Sequence, residues 1–209
     1  MPKGPVIGPL VICGYLVKEE KLRELKKLKV RDSKELTPEQ RKTLVNALKR
    51  VAEDFVLVKL SASDIDRLRG ERNLNKIEIE HFAKIIDVLS PDVAYVDSPE
   101  VNTKKFAEKL RRYLKDKRVK IVAENYADKK YAVVSAASIM AKVARDEEIE
   151  KIKKAVNYDF GTGYTHDERT IEFLKKLAER GDYPDFVRKS WITAKVIKKE
   201  SEQRKLTEF

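Results

Sequence analysis

Cysteine occurs once in these 209 residues and histidine twice. A lone thiol forms no internal disulfide, and with two scattered histidines it supplies no zinc cluster. Cys13 lies in the apolar run Leu10–Val17, where a buried, inert thiol is expected rather than a nucleophile. Long hydrophobic runs are missing as well. No apolar stretch approaches the roughly 20 residues of a membrane span, and the N-terminus lacks a basic-then-apolar signal peptide. A cytoplasmic, monomeric protein with no membrane partner is therefore expected. Repeats and low-complexity tracts are absent, and no residues suggest a Ser-His-Asp triad or a phosphate-binding P-loop.

Charge is what the chain has in quantity. Charged residues make up 39%, with 46 basic against 35 acidic side chains and a net charge of +11, beside 42% hydrophobic residues. This describes a globular chain long enough to bury a substantial core. The basic excess reads either as a solvated surface or as the footprint of a polyanion, most simply nucleic acid. Composition leaves both open.

Gly4–Pro9 reads as a turn feeding a strand at 10–17, and Leu22, Leu25 and Leu28 have helical spacing. Asp32-Ser33-Lys34 is a polar loop. Thr37-Pro38-Glu39-Gln40 opens a helix running to about Ala52, with Thr as cap, Pro in the first turn and Gln three residues on. Strands are expected at 55–60, 93–96 and 119–123, and helices at 74–88, 102–114, 131–154, 168–180 and about 184–199. Ser63 is expected to cap a further short helix. The pattern predicts an α/β fold: a core over 1–155, a helical C-terminal part over 156–200 and a tail over 201–209.

Asp97 follows directly on an apolar strand, and Asp128 follows another after a short loop. Sites in α/β sheets assemble at the carboxyl ends of strands. Two carboxylates there can hold a hard divalent cation such as Mg2+, although an aspartate at a strand end also serves as a turn-former or helix cap. His81 has apolar helix neighbours and is expected to pack or face solvent. Trp191 is expected to pack the C-terminal helix, and Asp146 to lie on a helix surface or form an intrahelical pair.

Several segments, in order, resemble the type 2 ribonuclease H (ribonuclease HII) family, with an archaeal-like character. They are Gly4–Leu10, Val30–Thr37, Asn73-Leu74-Asn75, Tyr95-Val96-Asp97, Ala127-Asp128, Val133–Asp146, Gly161–Tyr164 and Val187–Trp191. Val133–Asp146 is the most distinctive. The resemblance implies an RNase H-like mixed sheet flanked by helices. It also implies a two-metal endonuclease, using Mg2+ or Mn2+, that cuts the RNA strand of RNA–DNA hybrids and embedded ribonucleotides, with roles in DNA replication and repair. Carried over by position, Asp97 and Asp128 would be catalytic metal ligands. Tyr164 would lie under the sugar of the deoxynucleotide at the RNA–DNA junction, while Lys34, Lys142 and Arg145 would meet phosphates.

The resemblance departs at the front. The family's Asp-Glu-Ala-Gly-Arg-Gly strand end has no full counterpart before Pro5: Lys3 stands in place of the junction-reading Arg, and Gly4 keeps the following Gly, whose amide can approach a ribose. Two further metal ligands would be missing, and with them a central strand. The expectation is that the natural start lies upstream and that the chain as written does not complete the two-metal site. A degenerate relative that binds nucleic acid or the sliding clamp without cutting is the alternative. At the other end, Gln203, Leu206 and Phe209 have the spacing of a short sliding-clamp docking motif: one helical turn would set Leu206 and Phe209 together, with Gln203 as a polar anchor.

Overall fold

The computed structural model describes residues 4–28, 30 and 37–207. It divides into two compact units that are discontinuous in sequence. The first unit comprises Met1–Leu10, Lys59–Arg72 and Arg145–Phe209, and the second Val11–Val58 and Asn73–Ala144.

In the second unit, strand β1 (Leu10–Leu16) pairs with β2 (Asp54–Leu60), and β3 (Val93–Asp97) pairs with β4 (Lys120–Glu124). The α/β class is the expected one, and among the described residues the strands form two two-stranded sheets. β3 and β4 run parallel, in a register from Val93↔Lys120 to Asp97↔Glu124. A parallel pair needs a crossover, and helix α5 (Thr103–Tyr113) provides it. α5 is capped by Asn102, whose side chain accepts from the Lys105 N–H, and it buries Phe106 and Leu110 completely. These side chains pack with Ile79, Ala83 and Ile86 of helix α4 (Leu74–Leu89) and with Ala94 and Val96 of β3.

A second core joins Tyr15 of β1, Leu25 of helix α1 (Leu22–Lys27), and Val45, Leu48 and Val51 of helix α2 (Pro38–Val51). Against them pack Ala136, Ile139, Met140 and Val143 from the long helix α7 (Ala132–Val156). The capping box expected at Thr37 forms: its hydroxyl accepts from the Gln40 N–H and the Gln40 side chain accepts in return. The buried Tyr15 hydroxyl donates to the Leu48 carbonyl at 2.8 Å, so the core holds no orphaned hydroxyl there. At Gly14 a Cβ would stand 2.2 Å from Ile85 Cγ2, which makes glycine the condition for α4 to lie against β1.

The first unit holds helix α3 (Ala62–Arg69), the end of α7, helix α8 (Glu168–Glu179) and helix α9 (Ile192–Thr207). Two expectations are corrected here. Ser61, not Ser63, caps α3, its Oγ accepting from the Asp64 N–H at 3.0 Å. α9 begins at Ile192 rather than near residue 184, and it runs on to Thr207 through most of the expected tail. Residues 184–190 are instead held by tertiary bonds: Ile7 and Val187 form an antiparallel bridge, and Asp66 accepts from the Lys189 and Ser190 N–H groups at 2.7 and 3.0 Å. Those bonds override the helix-start signal of Pro184. Trp191 is buried, as expected of a side chain packing the C-terminal helix. No helix among the described residues is long and apolar enough to cross a membrane.

Candidate active site

The parallel pairing of β3 with β4 places Asp97 at the carboxyl end of its strand, opposite Glu124. The Asp97 carboxylate accepts a hydrogen bond from the Ala127 N–H at 3.0 Å. Asp128, the next residue, lies in the first turn of the four-residue helix α6 (Ala127–Lys130). Its carbonyl is bound by the buried Ser135 hydroxyl of α7. The two predicted ligands thus belong to one corner, fixed by a backbone amide from below and by α7 behind.

The loops after β3 and β4 are laced together. The Asn125 amide donates to the carbonyls of Ser98 and Glu100, each at 2.9 Å, and the Ser98 N–H donates to the Glu124 carbonyl at 2.9 Å. Lys109 pairs with the Glu100 carboxylate at 2.8 Å. Glu124 is already engaged by Lys130 and by the Tyr131 hydroxyl. The Lys130 ammonium, and then the Tyr131 hydroxyl, hold the Glu124 carboxyl below the usual carboxylate range. Asp97 and Asp128 thus share the corner with Glu124, which is committed to Lys130 and Tyr131.

Among the described residues no group of three or more His, Cys, Asp or Glu side chains gathers to hold a metal. The oxygen-only pair nevertheless suits a hard divalent cation of the Mg2+ type, which protein sites bind through one or two carboxylates together with water and substrate phosphate. Lys142 stands exposed on α7 in this same unit.

In the first unit, main-chain bonds join the segment that follows Gly4 to the turn that precedes Tyr164. The N–H groups of Val6 and Ile7 donate to the Gly163 carbonyl at 2.8 and 3.1 Å, the Gly8 N–H to the Phe186 carbonyl at 2.8 Å, and the Arg188 N–H to the Val6 carbonyl at 2.8 Å. Gly163 has φ +78°, and a Cβ there would lie 2.9 Å from the Ile7 carbonyl oxygen. The glycine permits both the turn and the close approach. Thr170, fully buried on α8, accepts from the Gly163 N–H at 3.1 Å and donates to the Phe160 carbonyl at 2.8 Å. Asp167 caps α8 and accepts from the Thr162 and Arg169 N–H groups at 2.8 and 3.1 Å. Burial pushes the Asp167 carboxyl up, but the hydrogen bonds from Thr162 and Arg169 outweigh it and leave it below its ordinary value.

Arg145, expected to face a phosphate, is 8% exposed. Its guanidinium lies over the Tyr164 ring at 4.7 Å, donates to the Thr162 carbonyl and pairs with Asp146 at 3.3 Å. In this structure it positions Tyr164 and the Gly161–Tyr164 turn. His166 lies against the same ring, its centroid 5.4 Å from that of Tyr164. His81 makes a local bond, its Nδ1 lying 2.7 Å from the Ile77 carbonyl oxygen.

Gly4 has φ +118° and lies close to Arg188 and Trp191. The Arg188 guanidinium is buried, donates from Nε to the Gly8 carbonyl at 3.0 Å and lies 4.8 Å over Trp191. Arg69 lies over the same indole at 4.5 Å. Sequence reasoning assigned no role to Arg188, Arg69, Thr170 or Asp167. The Gly-Thr-Gly turn pointed toward Thr170 and Asp167, and the Val187–Trp191 segment contained Arg188 without assigning it a role. Gln203 is exposed on α9, and Leu206 falls within that helix. Lys3, Lys34 and Phe209 lie outside the described residues.

The family model "Ribonuclease HII" matches residues 2–194. A ribonuclease HII of Pyrococcus abyssi is 46% identical over 208 residues, covering 98% of this chain and 91% of the relative. The crystal structure of ribonuclease H2 from Pyrococcus horikoshii OT3 superposes with a TM-score of 0.90 at 39% identity, covering 97% of this chain and 96% of that one. The ribonuclease HII of Archaeoglobus fulgidus, solved as a complex with PCNA, gives a TM-score of 0.86 at 38% identity, covering 93% and 91%. The chain belongs to the ribonuclease HII family of nucleases.

Proposed function

We propose that this chain carries the Asp97–Asp128 part of the active site of an endoribonuclease that cuts the RNA strand of RNA–DNA hybrids, and DNA at embedded ribonucleotides, by two-metal-ion hydrolysis that leaves 5′-phosphate and 3′-hydroxyl ends. The observation that carries this reading is the Asp97–Ala127 hydrogen bond, which sets Asp128 beside the strand end that bears Asp97. Asp97 and Asp128 would hold Mg2+ or Mn2+, which supplies Lewis-acid chemistry: activation of a water and charge stabilisation at the leaving oxygen. The amide of Gly4 approaches the ribose, whose 2′-hydroxyl distinguishes RNA from DNA. Tyr164, held by Arg145, offers its ring to the sugar of the deoxynucleotide at the junction. Lys142, with Lys3 and Lys34, meets the phosphate backbone.

The second reading, a relative that binds nucleic acid or the sliding clamp without cutting, is favoured by the commitment of Glu124, which lies opposite Asp97 across the strand pair, to Lys130 and Tyr131. A cleavage and binding assay separates the two. With Mg2+ and a duplex carrying one ribonucleotide, nicking at the ribonucleotide supports the enzyme. Tight binding with an intact strand after prolonged incubation supports the binder.

Sliding-clamp docking is proposed for Gln203, Leu206 and Phe209, in keeping with the PCNA complex of the Archaeoglobus relative. Removing 203–209 is expected to abolish clamp binding in a pull-down and to leave cleavage of a short duplex unchanged. Undiminished clamp binding by the shortened chain would refute the assignment.

A further inference from the structure

Tyr126 occupies the turn immediately before Ala127 and Asp128, with a left-handed backbone at φ 56° and ψ 38°. An L-amino acid with an aromatic side chain pays free energy in that region that glycine would not, and asparagine pays less. Nothing within the protein repays it through burial, because the residue is 70% exposed.

The turn is nonetheless held firmly. Asn125 on one side is tied to the carbonyls of Ser98 and Glu100, and Ala127 on the other donates to Asp97. The Tyr126 carbonyl accepts from the Lys129 N–H at 3.0 Å. The Lys129 ammonium stands 5.2 Å from the ring centroid. A strained aromatic residue, presented to solvent on a rigid turn two residues from a metal-ligand candidate, marks a contact surface rather than a packing accident.

We propose that Tyr126 is a substrate-positioning residue: its ring packs on the face of a sugar flanking the scissile phosphate, with Lys129 on the adjoining phosphate. This rests on the reading of the Asp97–Asp128 corner as the site of an RNA–DNA duplex. In such a duplex the bases are stacked on one another, so the surfaces open to a side chain at strand level are sugars and phosphates. An aromatic face meets the first and an ammonium the second. Paired on one turn, they fix the strand laterally against the carboxylates.

The left-handed backbone supplies a clean test, since Tyr126→Gly removes the ring and relieves the strain together. The probe is a fluorescently labelled RNA–DNA hybrid duplex, titrated against the full chain by anisotropy with Ca2+ in place of Mg2+ to suppress cutting. Each variant's thermal midpoint is measured alongside. Tyr126→Gly is expected to melt at or above the wild-type temperature yet bind about tenfold more weakly, within the range of aromatic contacts to nucleic acid. Tyr126→Phe is expected to bind within about twofold of wild type, because the ring face is the contact. Lys129→Gln is expected to lower the slope of log affinity against log salt by about one phosphate contact.

Wild-type binding retained by Tyr126→Gly overturns the proposal, as does an equal loss in Tyr126→Phe, which would move the contact to the hydroxyl. A wild-type chain that fails to bind the hybrid at all overturns the functional reading beneath it, and is distinguishable because no variant need be compared.

Discussion

The carboxylate corner and the Gly161–Tyr164 turn are built on opposite plans. The corner is open to solvent: Asp97 and Tyr126 are exposed, on loops that Asn125 and Ser135 tie at their backbone. The turn is strapped on every side, with Arg145, Thr170 and Asp167 buried or half-buried around two positive-φ glycines. Groups that bind ions and substrate must reach solvent, and so tolerate little packing. On the proposed reading, the Tyr164 ring meets one sugar in one orientation, which needs neighbours that fix it. Substitution should accordingly damage chemistry in the first region and geometry in the second.

The largest effect is expected at the corner. Asp97→Asn or Asp128→Asn keeps shape and removes a charge, and should lower cleavage on the order of 10³-fold while shifting the melting temperature little. A rate within tenfold of wild type would show that the corner is not the reacting centre. In the turn, Thr170→Val deletes both bonds of the hydroxyl, and leaves the Gly163 N–H and the Phe160 carbonyl without them in a buried place. About 2 kcal/mol should be lost in denaturant unfolding. An unchanged midpoint would break the contrast from the other side.

Arg145→Lys keeps the charge but loses the planar stack on Tyr164 and the bond to Thr162. About 1 kcal/mol of stability should go. The Michaelis constant for a junction substrate should rise more than kcat falls, which steady-state kinetics will show.

The smallest effect concerns pH. Asp167 has a folded-state pKa below its unfolded value of roughly 3.9. Its ionised form therefore adds stability above that value, and this is lost as pH falls through the lowered folded pKa. The stability gap between wild type and Asp167→Asn should be fully present at neutral pH and close toward pH 3. A gap independent of pH would assign the effect to shape alone.

Much of the corner was legible in the sequence because its determinants are local. An apolar strand ends at Asp97, and the short helix bearing Asp128 precedes a run of small and apolar residues whose own pattern predicts α7. The Thr37 capping box was legible for the same reason. The turn was legible only in part. Arg145 sits three residues after exposed Lys142 on the same helix, and no local pattern distinguishes the buried guanidinium from a solvated one. Ser61 and Ser63 each precede an aspartate by three residues, so the choice of cap was set by the backbone rather than by residue type. The N-terminal limit of α9 depended on Asp66 and Val6, both far away in sequence. Long-range hydrogen bonds decide such boundaries, and a single sequence does not display them.

The Thr170 hydroxyl has a consequence for amide exchange. It ties Gly163 to helix α8, while the Gly163 carbonyl carries the N–H groups of Val6 and Ile7. Opening any one of these requires the helix to release the turn. Hydrogen–deuterium exchange at Val6, Ile7 and Gly163 should therefore follow the slow clock of α8 rather than the fast one of a surface loop, so that two segments without regular structure behave as part of one cooperative helix.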